Sequence, residues 1–274
     1  MLDENKMIIG SYYHRNVEFE WLFGDSEEHY KRNLKDPEKY KLLKNLDWLG
    51  TKISYKFNNY GFRTQDITHD LKNKDVLMAL GCSHTFGEGI HEDNRFSNIL
   101  AEQLNLTCLN MGVCGASFDT VFRLASYWIP YIKPKIVIIL EPDPTRKEII
   151  KPLNIYNNSK EPINLLMHKF TKEALSTYPE LKVKLEGYKK FYDDWVLNEE
   201  NTYYATLKNR YAIELICMQN NVKLCYLTVI DTIFNENNVI WSDARPSLGR
   251  DLFHPGKEVN KTLANMFYEK IKNS

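Results

Sequence analysis

Four short runs of apolar and β-branched residues divide the chain, at 75–80, 106–111, 135–140 and 222–230. Runs of this length and composition are typical of strands buried on both faces of a sheet. Longer stretches with helical character lie between and after them, at 95–104, 118–132, 203–219 and 257–272. Because strands alternate with helices, the pattern predicts an α/β fold with a parallel sheet and helices on both of its faces.

Two stretches of the chain do not follow this alternation. Residues 1–60, rich in Tyr, Lys, Glu and Trp, are predicted to form an N-terminal extension packed on the core, and residues 61–274 to form the main domain. Within that domain, a Lys-, Glu- and Tyr-rich stretch at 150–201 is predicted to be a helical insertion. It is interpreted either as a roof over the functional edge of the sheet or as solvated surface, where charged amphipathic helices usually lie.

The residues that directly follow each strand are the first place to look for chemistry, because parallel sheets of this kind bind ligands beyond the carboxyl ends of their strands. Three of these segments consist of small, polar and turn-forming residues: GCSHTFG at 81–87, GVCGAS at 112–117 and EPDPTR at 141–146. We expect them to meet at one edge of the sheet.

A serine in the first of these segments, Ser83, is a candidate nucleophile. A serine hydroxyl needs a base within hydrogen-bond reach and an acceptor that orients the base. Asp251 and His254 stand three residues apart in DLFHPG at 251–256, so that Asp251 could hold one imidazole nitrogen while the other faces Ser83. The structural alternatives are a helix cap at Ser83, a cap of the last helix at Asp251 and a structural role for His254.

Three blocks of the sequence resemble, in order and approximate spacing, the first, second and last blocks of the SGNH (GDSL-like) hydrolases: GCSHTFGEG at 81–89, NMGVCG at 110–115 and RDLFHPG at 250–256. The resemblance extends over roughly residues 55–272, and such motifs are specific only jointly. It implies a three-layer, flavodoxin-like α/β fold with a central parallel sheet of about five strands. It also implies a serine esterase or acetyl hydrolase without a cofactor, acting on a small-molecule or carbohydrate ester such as an O-acetylated carbohydrate.

The same resemblance assigns roles to individual residues. Ser83 would attack the ester carbonyl, His254 would act as the general base, and Asp251 would fix the imidazole tautomer. The backbone N–H groups of Ser83 and Gly115 would form an oxyanion hole, and glycine suits a position where the backbone must approach the substrate.

The third block of the family normally contributes an Asn side chain to the oxyanion hole, and Asp143 occupies that position here. An ionised carboxylate about 4 Å from the oxyanion would cost about 4 kcal/mol at an effective dielectric near 20. Either Asp143 is protonated, or it points away and another donor such as Arg146 serves, or the site is slow or inactive. The nearby Arg146 favours displacement of the Asp143 carboxylate from the oxyanion. Arg146 and His84 are also candidate substrate contacts.

Composition narrows the classes of function. Lys and Arg total 36 and Asp and Glu total 36, so the formal net charge is zero. A neutral chain has no overall field that attracts nucleic acid or an anionic membrane. The first residues lack a basic and apolar leader, no apolar run reaches membrane-spanning length, and the five cysteines lie mostly in apolar segments. We therefore expect a cytoplasmic protein with reduced thiols and without a nucleic-acid or membrane partner. The oligomeric state is not predicted.

Other kinds of site fit the sequence less well. Histidines and glutamates occur close together at 84–92, but no compact ligand spacing such as HExxH is present, and no metal site is predicted. The glycine spacing after the first two strands matches neither a P-loop nor a dinucleotide fingerprint. Cys82 and Cys114 are alternative nucleophiles, although buried structural thiols are the favoured interpretation.

Two other functions remain open at this point. The chain could be an O-acyltransferase in which a sugar hydroxyl replaces water as the acceptor at the same triad. Alternatively, it could be a catalytically silent carbohydrate-binding or interaction module, an interpretation kept open by Asp143 at the usual Asn position.

Overall fold

The computed structural model describes residues 8–10, 14–72, 74–149, 163–165, 190, 193–194, 198–228 and 247–273. Its strands are β1 Glu18–Phe19, β2 Tyr55–Lys56, β3 Val76–Gly81, β4 Thr107–Asn110, β5 Ile136–Glu141, β6 Lys147–Ile149, β7 Ile163–Leu165 and β8 Lys223–Thr228. Its α-helices are α1 Glu27–Lys35, α2 Pro37–Asn45, α3 Ser83–Phe86, α4 Phe96–Gln103, α5 Phe118–Ile132, α6 Glu199–Gln219 and α7 Lys257–Lys272. Each predicted core strand and helix is present, with ends that differ by a few residues.

The central sheet has four parallel strands among the described residues, in the order β4-β3-β5-β8. Numbered along the chain, this order is 2-1-3-4, which matches the first four strands of the flavodoxin-like order 2-1-3-4-5. The sequence predicts about five strands, and four are described. Connections leave in opposite directions from β3 and β5, and the crevice beyond their carboxyl ends is where such folds bind ligands.

Helices cover both faces of this sheet because alternate strand residues point to opposite sides. On one side, Met78 packs in a core cluster with Leu124 of α5 and Ile213 of α6. On the other side, Leu77 packs in a separate cluster with α4 and with Phe267 of α7. All six residues of β3 and all six of β5 are buried, as expected for strands covered on both faces. The predicted three-layer α/β architecture is therefore confirmed.

The stretch 17–57 packs beside the carboxyl edge of β3. Here α1 contacts α2, and β1 pairs with β2 in antiparallel orientation. Apolar side chains of this stretch form a third cluster with Phe86 and Ile90, which follow β3. The members from the stretch are Leu22, Leu43, Trp48, Ile53, Tyr55 and Phe57. The indole N–H of Trp48 also donates to the Leu248 carbonyl at 2.8 Å. The stretch thus contacts both the segment after β3 and the loop before α7.

The predicted helical insertion at 150–201 lies mostly outside the described residues. Within it, Ile163–Leu165 forms β7 and pairs in antiparallel orientation with β6, so the structure has a strand where a helix was predicted. The order Ile163-Asn164-Leu165 is the apolar-polar alternation typical of strands. Among the described residues, no helix combines the length and apolar character needed to cross a membrane.

Candidate active site

Ser83 lies at the start of α3, directly after β3. The turn between them requires Gly81, which has φ of +152°, because a Cβ atom there would lie 2.2 Å from Thr85 Oγ1 and 2.6 Å from the Leu140 carbonyl oxygen. Cys82 is the N-cap residue of α3, and its side chain makes no capping hydrogen bond. Ser83 is therefore not a helix cap, and its hydroxyl is directed to another partner.

That partner is His254, whose Nε2 lies 2.9 Å from Ser83 Oγ. On the opposite side of the ring, Nδ1 lies 2.5 Å from Asp251 Oδ2. The second carboxylate oxygen of Asp251 accepts hydrogen bonds from the backbone N–H groups of Phe253 and His254, both at 3.1 Å. Because α7 begins at Lys257, Asp251 does not cap it. The structure thus brings the predicted hydroxyl, imidazole and carboxylate into one hydrogen-bonded series.

The surroundings of this series set its protonation states. Burial disfavours a charged imidazole, but the hydrogen bond and charge of Asp251, assisted by the charge of Glu88, outweigh burial and raise the pKa of His254. Burial also acts to raise the pKa of Asp251, but hydrogen bonds from His254 and Phe253 outweigh it and lower that pKa. An ionised carboxylate beside Nδ1 keeps a proton on that nitrogen, which leaves Nε2 as the acceptor facing Ser83.

The loop at 112–116 lies against the turn that carries Ser83. The N–H of Val113 donates to the Gly81 carbonyl at 3.0 Å. Gly115 has φ of +73°, in the left-handed region that favours glycine. In the described part of the chain, neither the Ser83 N–H nor the Gly115 N–H donates a hydrogen bond to another residue. Their role as oxyanion donors stays a prediction.

The carboxylate of Asp143 is exposed and engaged in a local turn. Its Oδ1 accepts hydrogen bonds from the N–H of Thr145 at 2.8 Å and from the hydroxyl of Thr145 at 2.6 Å. Arg146 instead places Nη1 3.5 Å from the carbonyl oxygen of Ala116, the residue after Gly115. No carboxylate of the described residues lies within ion-pair distance of Arg146. Asp143 and Arg146 therefore do not pair, and a substrate contact by Arg146 remains a prediction.

His84, the other candidate substrate contact, packs its ring edge-on against His254, with the ring centroids 5.6 Å apart. Its Nδ1 is buried and has no hydrogen-bond partner among the described residues. Burial, together with the positive charges of His254 and Arg146, lowers the pKa of His84 to about 3. The ring is therefore neutral near pH 7. The assignment itself stays a prediction.

Glu88 is part of this site and was not predicted from the sequence. Its Oε2 lies 3.6 Å from His254 Nε2 and accepts a hydrogen bond from the Cys114 thiol at 3.3 Å. Its Oε1 accepts hydrogen bonds from the backbone N–H groups of Gly24 at 2.6 Å and Asp25 at 3.3 Å. The only signal in the sequence is a carboxylate between the two glycines at 87 and 89, in a segment that follows a strand.

Glu88, Asp251 and His254 have potential metal-ligating atoms within 4.8 Å of one another. Both ring nitrogens of His254 already form hydrogen bonds, one to Asp251 and one with Ser83. A metal ion at this ring would displace one of those partners. We therefore interpret the group as an acid–base cluster.

Arg250 anchors the loop that carries Asp251 and His254. Its guanidinium is fully buried and forms a two-point ion pair with Asp25, at 2.7 and 2.9 Å. The Tyr55 hydroxyl donates to Asp25 at 2.5 Å and accepts from the Gly89 N–H at 2.9 Å. The Arg250 N–H in turn donates to the Gly89 carbonyl at 2.8 Å. The stretch 17–57, called the N-terminal stretch below, is thus hydrogen-bonded to the loop at 247–256 and to the segment after α3.

The cysteines beside the site have the character of structural thiols. All five cysteines are free, and Cys82 is buried. Burial and the neighbouring carboxylate of Glu88 raise the pKa of Cys114 well above its ordinary value. Because the thiolate is the reactive form, these surroundings disfavour Cys114 as the nucleophile.

Several solved structures are similar to this chain at low sequence identity. The chain is similar to a lipolytic protein of the G-D-S-L family from Desulfitobacterium hafniense, with 16% identity, a TM-score of 0.34 and coverage of 72% of this chain and 99% of the other. It is also similar to the psychrotrophic esterase EstA from Pseudoalteromonas sp., with 13% identity, a TM-score of 0.37 and coverage of 73% and 97%.

A third similar structure is a variant of Axe2, an acetyl xylan esterase from Geobacillus stearothermophilus, with 14% identity, a TM-score of 0.32 and coverage of 73% and 95%. No family model matches the chain. No curated protein sequence matches it either.

Proposed function

We propose that this protein is a serine hydrolase of carboxylic esters, of the SGNH type, with Ser83, His254 and Asp251 as its triad. The observation that carries the proposal is the position of the His254 ring, which lies between Ser83 Oγ at 2.9 Å and Asp251 Oδ2 at 2.5 Å. Each residue has the chemical type that its place in the series requires, and all three are buried at the carboxyl edge of the sheet.

In the proposed reaction, Ser83 Oγ attacks the ester carbonyl and its proton passes to His254 Nε2. Asp251 stabilises the imidazolium that forms, without taking the proton itself. The N–H groups of Ser83 and Gly115 donate to the oxyanion. His254 then returns the proton to the leaving alcohol, and a water activated by His254 releases the acyl group as a carboxylic acid.

The finer parts of the proposal concern the substrate and the third oxyanion donor. The resemblance of the three sequence blocks supports a carboxylic ester, with an O-acetylated carbohydrate as the candidate substrate. The five free cysteines support a cytoplasmic enzyme. The turn formed by Asp143 and Thr145 supports displacement of the carboxylate from the reaction centre. Arg146, beside Ala116, is then the candidate that contacts the substrate or its oxyanion.

The test combines labelling with turnover. A serine-directed fluorophosphonate is expected to label the peptide that contains Ser83, and short-chain p-nitrophenyl esters are expected to be cleaved. In Ser83→Ala, labelling should disappear and turnover should fall by at least about 10³-fold, because the nucleophile is absent. Ser126→Ala is the matched control, since the hydroxyl of Ser126 donates to the Arg123 carbonyl within α5.

Each outcome separates the proposal from its alternatives. Label on any peptide other than the one with Ser83 would contradict the proposed nucleophile. Label on Ser83 with acetyl transfer to an added sugar, and without net hydrolysis, would make the protein an O-acyltransferase. Neither labelling nor turnover, with retained carbohydrate binding, would favour the silent binding module.

A further inference from the structure

Glu88 is a buried acid for which the triad reaction has no use. Its side chain is 4% exposed, and Oε2 lies 3.6 Å from the same nitrogen of His254 that faces Ser83. A buried carboxylate carries a large desolvation cost unless hydrogen bonds or charges compensate it. The contacts of Glu88 therefore indicate what its carboxylate does.

Two backbone donors fix the orientation of this carboxylate. Oε1 accepts from the N–H groups of Gly24 and Asp25, and hydrogen bonds of this kind favour the ionised form. Burial, together with the charge of Asp251, outweighs them and raises the pKa of Glu88, whereas the charge of His254 acts to lower it. A Cβ atom at Gly24 would lie 2.8 Å from Oε1, so a side chain there would force the Glu88 carboxylate to shift. With Oε1 held in this way, Oε2 faces the Cys114 thiol and His254.

We propose that Glu88 is a positioning residue for His254: its carboxylate, held by the N-terminal stretch, stabilises the protonated imidazole from the side that faces Ser83. The inference rests on the proposed function, because it concerns the base of the proposed triad. The imidazolium that forms when Ser83 loses its proton would lie between two carboxylates, Asp251 at Nδ1 and Glu88 near Nε2. The N-terminal stretch would then contribute to the acid–base chemistry through Gly24 and Asp25.

Several titratable groups surround this imidazole, and they come from five places in the chain. Asp251 lies on the same loop as His254, His84 lies in α3, Glu88 follows α3, Cys114 lies in the loop after β4, and Arg146 precedes β6. Asp251 and Glu88 favour the charged ring, whereas Arg146 opposes it. An opposite charge within about 4–6 Å shifts a pKa by about 1–3 units, so neutralising Glu88 should have a measurable effect.

The experiment compares wild type, Glu88→Gln and a matched control, Glu148→Gln. Glu148 is a similarly buried carboxylate, 3% exposed, whose ion-pair partner is Arg123. Two measurements are made on each protein: the pH dependence of kcat/KM with a neutral short-chain ester, and the NMR titration of the His254 ring. The first reports the pKa of the base in the free enzyme, and the second does so without any turnover.

In Glu88→Gln, the negative charge that stabilises the imidazolium is lost, so the pKa of His254 should fall. The neutral base is then available at lower pH, and the acidic limb of kcat/KM should move down by about 1 pH unit or more. The His254 ring titration should move by the same amount, and Glu148→Gln should change neither curve.

Unchanged midpoints for His254 in a folded Glu88→Gln variant would overturn the inference, even if turnover fell, because a purely structural role lowers activity without moving the titration. If the wild type has no esterase activity but the NMR midpoint moves as expected, the coupling of Glu88 to His254 stands and the proposed function fails. The two failures are therefore distinguishable.

Discussion

Replacing Asp25 with alanine tests whether the buried ion pair holds the triad loop in place. Arg250 is fully buried, and Asp25 is the one carboxylate in the described part of the chain that pairs with it. The variant leaves this guanidinium with the carbonyls of Thr51 at 2.9 Å and Glu20 at 2.7 Å, and with the Trp21 ring at 3.7 Å. The buried charge is then only partly compensated.

Removing one partner of a buried ion pair costs about 3–5 kcal/mol. Because two carbonyls and an aromatic ring remain at Arg250, we expect the lower end of that range, about 3 kcal/mol in the free energy of unfolding. For a domain of this size, that corresponds to a fall in Tm of about 6–12 °C. Since Arg250 precedes Asp251, the loss should also lower kcat/KM for the proposed reaction.

Urea unfolding and thermal unfolding measure the effect, with Glu258→Ala as the control. Glu258 pairs with Lys261 at 2.8 Å, and both side chains are 56% exposed, so its loss should cost less than about 1 kcal/mol. A double variant, Asp25→Leu with Arg250→Met, removes both charges and should recover much of the lost stability. An Asp25→Ala protein as stable as the control would show that the ion pair does not anchor the loop.

Two further predictions concern single side chains near the triad. Asp143→Asn should change kcat less than about 3-fold, because this carboxylate is exposed and accepts hydrogen bonds from Thr145. A rise in kcat of tenfold or more would instead place residue 143 at the oxyanion, where a restored donor increases kcat by about 10²–10³-fold. Gly89→Ala should lower both Tm and kcat/KM, because φ is +77° and the new Cβ atom would lie 2.8 Å from Asp251 Oδ1. The matched variant Gly50→Ala has a similar φ of +69° but open space around it, so its kcat/KM should match that of wild type.

The parts of the fold that the sequence predicted correctly depend on local patterns. The apolar runs that became β3 and β5 are buried along their whole length, so their composition reflects their environment directly. The segments after these strands were expected to meet, because the carboxyl ends of parallel strands share one edge. The placement of Ser83 at this edge follows from this topology, whereas its pairing with His254 was predicted from the residue types and the resemblance of the three sequence blocks.

The missed parts depend on contacts between distant residues or on backbone groups. Glu88 is held by N–H groups 64 and 63 residues earlier in the chain, and a backbone N–H leaves no mark on the residue type. The partner of Arg250 lies 225 residues away, so no spacing rule connects the two. In contrast, the alternation at Ile163–Leu165 was visible and was outweighed by the charged composition around it.

The ion pair between Asp25 and Arg250 also bears on folding during protein synthesis. A chain made only as far as residue 246 contains the serine but lacks both the imidazole at 254 and the guanidinium at 250. Until those residues leave the ribosome, the carboxylate at 25 lacks the guanidinium that it pairs with in the folded protein, and the serine lacks the imidazole that it contacts there. We therefore expect the ion pair that anchors the loop and the contact between the serine and the imidazole to form together, once the last part of the chain has been made.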